Sequence, residues 1–363
     1  MGVILDPAKT DEWGAILAQL GGEEALSASA REHRAFFRAR GVRSASDLLR
    51  LAFLYGPGEH SLRVSAALAA ERELADVSDV ALLNRLAGAA PWMQALCAEA
   101  FGRLSLGDTP LPRRSRIQIV DGSRIEGPGD TAWRLHLCYD PVQGRMTDAE
   151  LTPLARGERL DRLRARDGAI RLADRAFPQP DGIKNTLDSG ADVLVRLTWN
   201  SLKLTDEAGR ALDWLALFDK AKAGDGLDQT VELRKARGSF PPQRLRLVIR
   251  PKPAEAAAHA LKTARRAHCK GQHRRIDPRT LAGAEHLVLI TSLSAPDISG
   301  AQLAALYRLR WQVELCFKRL KSILRIDRLR ARDESLVKTW VHAHLLLALL
   351  IDDIHSEVDA FPP

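Results

Sequence analysis

Apolar positions recur at helical spacing through the first third of the chain and then change period. Trp13, Ile16, Leu17 and Leu20 share one helical face, as do Leu48, Leu49, Ala52 and Phe53, and further on Val80, Leu83, Leu86 and Ala87. Ser78 and Asp79 are placed to cap a helix ending near Gly88, and Pro91 suits the first turn of another reaching about Phe101. Helices at about 61–72 and 78–87, joined by a short link, fit a helix-turn-helix with Arg85 on the second helix able to meet DNA. A plain helical bundle accommodates the same pattern.

Gly, Pro and Arg between Leu106 and Arg116 mark a boundary, after which the period shortens to two. Ile117–Asp121 is a short β-branched run. Trp133–Tyr139 and Arg145–Leu151, joined across Asp140–Gly144, read as a hairpin. A helix is expected from about Gly157 to Asp167, then a strand over Ala169–Asp174, a short helix, and a strand over Ala191–Leu197. The order β, β, β, α, β, α, β, with a carboxylate ending the first and fourth strands, is that of a ribonuclease H-like sheet. From Ser201 to about Glu285 come Gly-rich turns, the alternating strand Arg244–Ile249 and a basic helix with Lys262, Arg265 and Arg266, which together read as an insertion. The sheet is expected to resume at His286–Ser292, followed by a long helix from near Ser299 and a last helix over Leu336–Ile354. The predicted fold is α/β: a ribonuclease H-like mixed sheet with flanking helices, a β-rich insertion before the last catalytic helix, and an N-terminal helical domain. It divides into an N-terminal helical DNA-binding domain (1–112), a first core segment (113–200), an insertion (201–285) and a second core segment (286–363).

Composition narrows the classes. The chain has 363 residues, 45% apolar and 28% charged, enough for a full core and unlike disordered or fibrous sequences. No run of about 18 apolar residues is present, and the N-terminus, with Asp6, Lys9, Asp11 and Glu12, lacks the pattern of a signal peptide. A cytoplasmic, nucleoid-associated protein of a prokaryote is the expectation. Cys97, Cys138, Cys269 and Cys316 are too widely spaced for a zinc site and read as buried thiols. The net charge is +8, but Arg234–Lys338 alone holds 24 basic and 8 acidic residues, +16 against −8 for the remainder. Segregation on this scale suggests a polyanion-facing surface, the alternative being a solvated basic face.

The richest segment is Tyr307-Arg-Leu-Arg310-Trp-Gln-Val-Glu314-Leu-Cys-Phe-Lys-Arg-Leu-Lys321, which carries Tyr, Arg, Glu and Lys at the spacing Y-(2)-R-(3)-E-(6)-K. At about 100° per residue the four project within roughly 60° of one another. Together with Ile119-Val-Asp121-Gly-Ser, Leu172-Ala-Asp174-Arg-Ala-Phe and Ile290-Thr-Ser-Leu, this segment resembles the DDE transposases of insertion sequence family four over most of the chain. The resemblance implies that Asp121, Asp174 and Glu314 form a catalytic, metal-binding triad and that Tyr307, Arg310 and Lys321 hold phosphates of the transposon end. It also implies double-stranded DNA as partner, both transposon ends and target, and a homodimer in the DNA complex.

Phosphodiester chemistry independently suits that ligand set. Two Mg²⁺ ions can activate the nucleophile and stabilise the leaving oxygen, with Mn²⁺ able to substitute, and hard cations prefer carboxylates, water and phosphate to His or Cys. Each residue also has a plainer role open to it. Asp121 before Gly122 could begin a turn, Asp174 and Arg175 could form a surface ion pair, Glu314 and Lys318 could be a helix-stabilising pair, and Tyr307 and Phe317 could be core. His136 is expected to be structural, and Trp311 and Trp340 to pack.

Two departures from the family stand out. Ala176 replaces the usual Gly, and no Trp, Phe or Tyr lies between Phe240 and Tyr307 to stack on a flipped base, leaving Trp214, Phe218 or His286 as substitutes. The chain ends at Pro363, where relatives often continue into a dimerising region, so truncation stays open. The expected function is cleavage and strand transfer at terminal inverted repeats, cut-and-paste, with a hairpin intermediate as one route. The alternatives are an inactive or truncated DNA-binding remnant, or a ribonuclease H-like nuclease without transfer.

Overall fold

A computed structural model of the chain describes residues 10–106, 116–224, 226–234, 240–269 and 276–359. Among the described residues the N-terminal region forms six helices, α1 (Thr10–Gln19), α2 (Gly22–Glu32), α3 (Ala45–Tyr55), α4 (Leu62–Glu71), α5 (Asp79–Gly88) and α6 (Ala90–Leu106). Serines start three of them: the hydroxyls of Ser44, Ser61 and Ser78 accept from the backbone N–H of Asp47, Val64 and Ala81 at 3.0, 3.3 and 3.2 Å, satisfying donors the first turn leaves free.

These helices gather on α13 (Glu334–Asp359), whose Val337, Trp340, Val341, Ala343 and Leu346 are buried. Thr339 donates from its hydroxyl to the Leu86 carbonyl at 2.6 Å, and Cys97 donates from Sγ to the His342 carbonyl at 3.2 Å. The stretch Glu334–Asp352 is long and apolar enough to cross a membrane, but 72% of it is buried inside the protein, as in a core helix.

Nine strands of the described residues form one mixed sheet, β1 (Ile117–Glu126), β2 (Ala132–Asp140), β3 (Arg145–Pro153), β4 (Ile170–Ala173), β5 (Asp192–Arg196), β6 (Leu204–Thr205), β7 (Leu227–Leu233), β8 (Gln243–Pro251) and β9 (His286–Thr291), in the order β3-β2-β1-β4-β5-β9-β8-β7-β6. The β1-β4 and β4-β5 pairs are parallel and the rest antiparallel. Period-two alternation divides the sheet between two cores. Ile119, Ile170, Leu172 and Leu194 face the N-terminal helices and α13, whereas Val120, Ala173, Val193 and Val195 face the opposite layer. That layer includes α7 (Pro180–Asp188), α8 (Trp214–Ala223) and α10 (Pro278–Ala284), while α9 (Ala254–Cys269) stands largely exposed beside α10. Residues 201–285 thus add β6, β7 and β8 to the same sheet rather than building a second one.

Two local expectations are corrected. No helix forms over Gly157–Asp167. Arg171 of β4, fully buried, donates to the carbonyls of Leu160, Leu163 and Arg164 at 2.7, 2.7 and 3.0 Å, taking acceptors that a helix would use internally. The long helix from Ser299 is also broken. It runs as α11 (Gly300–Tyr307), a 3₁₀ turn at Arg308–Arg310 and α12 (Trp311–Ser322). The change of helical phase leaves Trp311 54% exposed, contrary to the packing role expected of it, while Trp340 is buried as expected.

Candidate active site

The sheet register brings the two aspartates together. β1 and β4 pair in parallel with Ile119 opposite Leu172, so Asp121 and Asp174, each two residues further on, reach the same level on the same side of the pleat. Asp121 does not end its strand as expected, because β1 continues to Glu126 along β2; what ends there is the pairing with β4. Asp174 lies just past β4, with its Oδ1 accepting from the Ala176 N–H at 2.7 Å.

The broken helix sits over this rim. Ser299 and Gln302 start α11 with a reciprocal capping box, and Arg246 of β8 anchors the segment before it, donating to the Ile298 carbonyl at 2.7 Å while paired with Asp228. Tyr307 closes α11 with its ring in the core; its hydroxyl is buried and finds no hydrogen-bond partner among the described residues. Arg310, ending the 3₁₀ turn, lies 3.4 Å from Asp121 Oδ2 and also pairs with Glu314. Glu314 therefore pairs with Arg310, not with Lys318. Lys321 donates to the Arg124 carbonyl at 3.2 Å from the rim of a groove of ≈600 Å³ lined by Asp121, Glu314 and Lys318. The structure thus places Arg310 between Asp121 and Glu314, with Asp174 and Tyr307 on one side and Lys321 on the other.

Electrostatics single out Asp121. Its side chain is 16% exposed, and burial pushes its carboxyl up to about 6, against the pull of the Gly122 N–H and Arg310 and helped by the Asp174 and Glu158 carboxylates. Burial likewise pushes the Tyr307 hydroxyl up to about 12. Glu158 is the residue that sequence reasoning missed. It stands on the loop that Arg171 pins, 3.8 Å from Arg134, its own carboxyl raised by burial and by Asp174. A Cβ on Gly122 would come within 2.7 Å of Glu158 Oε1, so glycine lets this third acid approach Asp121. Nothing in the sequence marks Glu158, because its approach depends on a loop held by a distant arginine.

Among the described residues no three Asp, Glu, His or Cys side chains converge closely enough to hold a metal ion by themselves. The donor chemistry nonetheless fits one. Burial, more than its neighbouring carboxylates, disfavours the charged form of Asp121, a cost that a bound cation would offset, and Glu314, more than half exposed, is held on the other side of the Arg310 cation. Oxygen donors on an open rim are what a cation needs when it keeps water and substrate phosphate in its shell.

Other expectations resolve plainly. His136 is structural, its Nε2 2.9 Å from the Thr152 hydroxyl, and burial with Arg162 and Arg134 nearby pushes it down to about 3. Trp214, Phe218 and His286, the residues left to stack on a flipped base, have their rings inside the protein. All three are buried, with Phe218 stacked on His286 at 5.0 Å and tilted on Trp214 at 5.9 Å. Cys97 and Cys138 are buried free thiols and Cys316 a partly buried one; the side chain of Cys269 lies outside the described residues. Leu82 and Leu86 of α5 are buried, and Arg85 donates to the Arg40 carbonyl at 3.1 Å.

Comparison with known proteins adds the missing context. The sequence profile of the family described as "Transposase DDE domain" matches residues 112–351. The chain is 40% identical over 361 residues to the putative transposase InsL of insertion sequence element IS186A from Escherichia coli K12, covering 97% of this chain and 96% of that relative. It is also 40% identical over 362 residues to the transposase of insertion sequence element IS421 from Escherichia coli, with the same coverage.

Proposed function

Because the chain belongs to the DDE transposases of insertion sequences, we propose that Asp121, Asp174 and Glu314 are the metal ligands at which its DNA substrate is cut. The sheet on which they sit is then a ribonuclease H-like core, with residues 1–112 as a DNA-binding region. The substrate is the terminal inverted repeats of its own element. The reaction is strand cleavage followed by transfer into a target duplex, cut-and-paste, with a hairpin intermediate as one route, carried out in the cytoplasm by a homodimer assembled on DNA.

Two Mg²⁺ ions, or Mn²⁺ in their place, would polarise the scissile phosphate and lower the pKa of an attacking hydroxyl or water. Asp121 and Asp174 present carboxylates at one level of the sheet, and Glu314 presents a third across Arg310. Arg310 holds Asp121 and Glu314 in the free protein and passes to the negatively charged phosphate once those carboxylates are engaged, so neither charge is left unpaired. The Tyr307 hydroxyl, buried with no protein partner, is available to a phosphate oxygen. Lys321, at the groove edge, adds a further phosphate contact.

The observation that carries this reading is the register that aligns Asp121 with Asp174 beneath an arginine already bound to Asp121 and Glu314. Its test is cleavage of duplex DNA taken from the ends of the element. Asp121→Asn, Asp174→Asn and Glu314→Gln should each bind that DNA and fail to cut it in Mg²⁺, because each removes an anionic donor with little change in volume. Cutting at the wild-type rate by any of them would overturn the assignment.

A further inference from the structure

On the Asp174 side of Arg310, away from the groove that holds Glu314 and Lys321, opens a second cleft of ≈660 Å³. Arg175, Arg196 and Lys252 line it with Arg310, and Asp174 is the one carboxylate among its described lining residues. Arg175 and Arg196 form no ion pair among the described residues. Lys252 spends one hydrogen bond on the Ala284 carbonyl, at 2.6 Å. Burial, with Arg196 and Arg175 close by, pushes this lysine down to about 8. Arg175, Arg196 and Lys252, crowded beside the single carboxylate of Asp174, raise one another's energy, and an incoming anion relieves that repulsion.

The walls offer more than charge. His286, 3% exposed, has its Nδ1 2.7 Å from the Ala282 carbonyl, to which it donates, so Nε2 is left as an acceptor; that Nε2 is buried with no partner among the described residues. Trp199 forms another wall, held by an Nε1 donation to Thr280 at 3.0 Å and by Arg279 over its ring at 3.7 Å. The occupant should therefore carry negative charge together with a hydrogen-bond donor and an apolar plane. A nucleotide has all three. A duplex about 20 Å across cannot enter a cavity of this size, whereas one or two unpaired nucleotides can.

Resting on the transposase reading, we propose that this cleft receives the unpaired strand leaving the catalytic rim, with a phosphate seated among Arg175, Arg196 and Lys252. The strand passes Asp174 and Arg310, where the bond is broken, and its next phosphate meets the three cations. None of these residues belongs to the metal triad or to the Tyr307, Arg310 and Lys321 set.

The test measures affinity of the full chain, with Ca²⁺ present, for a fluorescent duplex from the element's end in three forms: blunt, with a four-nucleotide 5′ extension, and with a four-nucleotide 3′ extension. One extended form should bind about tenfold tighter than the blunt one, as one or two charge-assisted hydrogen bonds would give. Lys252→Met and Arg196→Gln should bring that ratio close to one, and should lower the salt slope for the extended duplex by about 0.7 per lost contact. Arg175→Ala, at an exposed position that cannot compromise folding, should reduce the ratio in the same direction. An equal affinity for blunt and extended duplexes in the wild type, or an unchanged ratio in all three variants, overturns the cleft proposal while leaving the transposase reading intact. Failure to bind any of the duplexes would overturn both.

Discussion

Replacing Asp121, a proposed metal ligand, should make the protein more stable. In the folded chain Asp121 has its carboxyl pushed from an ordinary 3.8 up to about 6. The native state therefore binds this proton more tightly than the unfolded chain does, so the contribution to stability is highest below about pH 4, falls as pH rises, and is fully lost above about pH 6. The gap between 3.8 and about 6 corresponds to roughly 3 kcal/mol at 1.36 kcal/mol per pKa unit. Asp121→Asn mimics the protonated form. It keeps an acceptor for the Gly122 N–H, and Arg310 retains Glu314 as an anionic partner. In EDTA at about pH 8 the variant should thus resist urea by up to roughly 3 kcal/mol more than the wild type, and the advantage should vanish near pH 4. Mg²⁺ should reverse the order by stabilising only the wild type, since an ion that binds the native state adds to its stability. Urea unfolding followed by tryptophan fluorescence reads all of these conditions. A variant less stable than the wild type at pH 8 in EDTA, or an offset that does not change with pH, would refute the claim that Asp121 is held in an unfavourable charged state.

Three further outcomes follow from the same geometry. Gly122→Ala places a methyl 2.7 Å from Glu158 Oε1, the free end of a side chain that can swing aside, so thermal denaturation should show a loss below about 1 kcal/mol, most of it recovered in Gly122→Ala/Glu158→Ala; a loss of several kcal/mol, undiminished in the double variant, would locate the clash elsewhere. Tyr307→Phe removes a hydroxyl without a protein partner, so melting should be unchanged while cleavage of end DNA slows; a drop in melting temperature of several degrees would show that the hydroxyl is used by the fold. Arg310→Ala and Lys321→Ala should each reduce the slope of log affinity against log salt on end DNA by about one, and an unaltered slope for both would remove them from the phosphate contacts.

The architecture was legible where a short period repeats. Alternation in Ile117–Asp121 and Ala169–Asp174 located both strands, and two aspartates in equivalent positions signalled one rim, although β1 runs on past Asp121. The Ser78 cap located α5. What stayed hidden depends on distant partners. A loop replaces the helix expected over Gly157–Asp167 because Arg171, on a strand, takes its carbonyls, and this is also what carries Glu158 to the site. The 3₁₀ turn before Trp311 leaves no mark in the residue types, yet it exposes that indole and sets Arg310 between Asp121 and Glu314. The rings of Trp214, Phe218 and His286 are engaged inside the protein, because Phe218 packs on Trp214 one helical turn away and on His286, distant in sequence, in the core. The insertion was visible as a change of pattern, but that its strands would extend the sheet through β8 and β9 lies in pairings no local signal encodes.

The central claim is that Asp121, Asp174 and Glu314 act together as the ligands of divalent cations on the DNA-bound protein. Calorimetric titration of Mn²⁺ into the protein bound to end DNA tests it most directly. The account predicts about two equivalents bound by the wild type, and at least one lost in each of Asp121→Asn, Asp174→Asn and Glu314→Gln while DNA remains bound. Full Mn²⁺ binding by any one of these variants would contradict it.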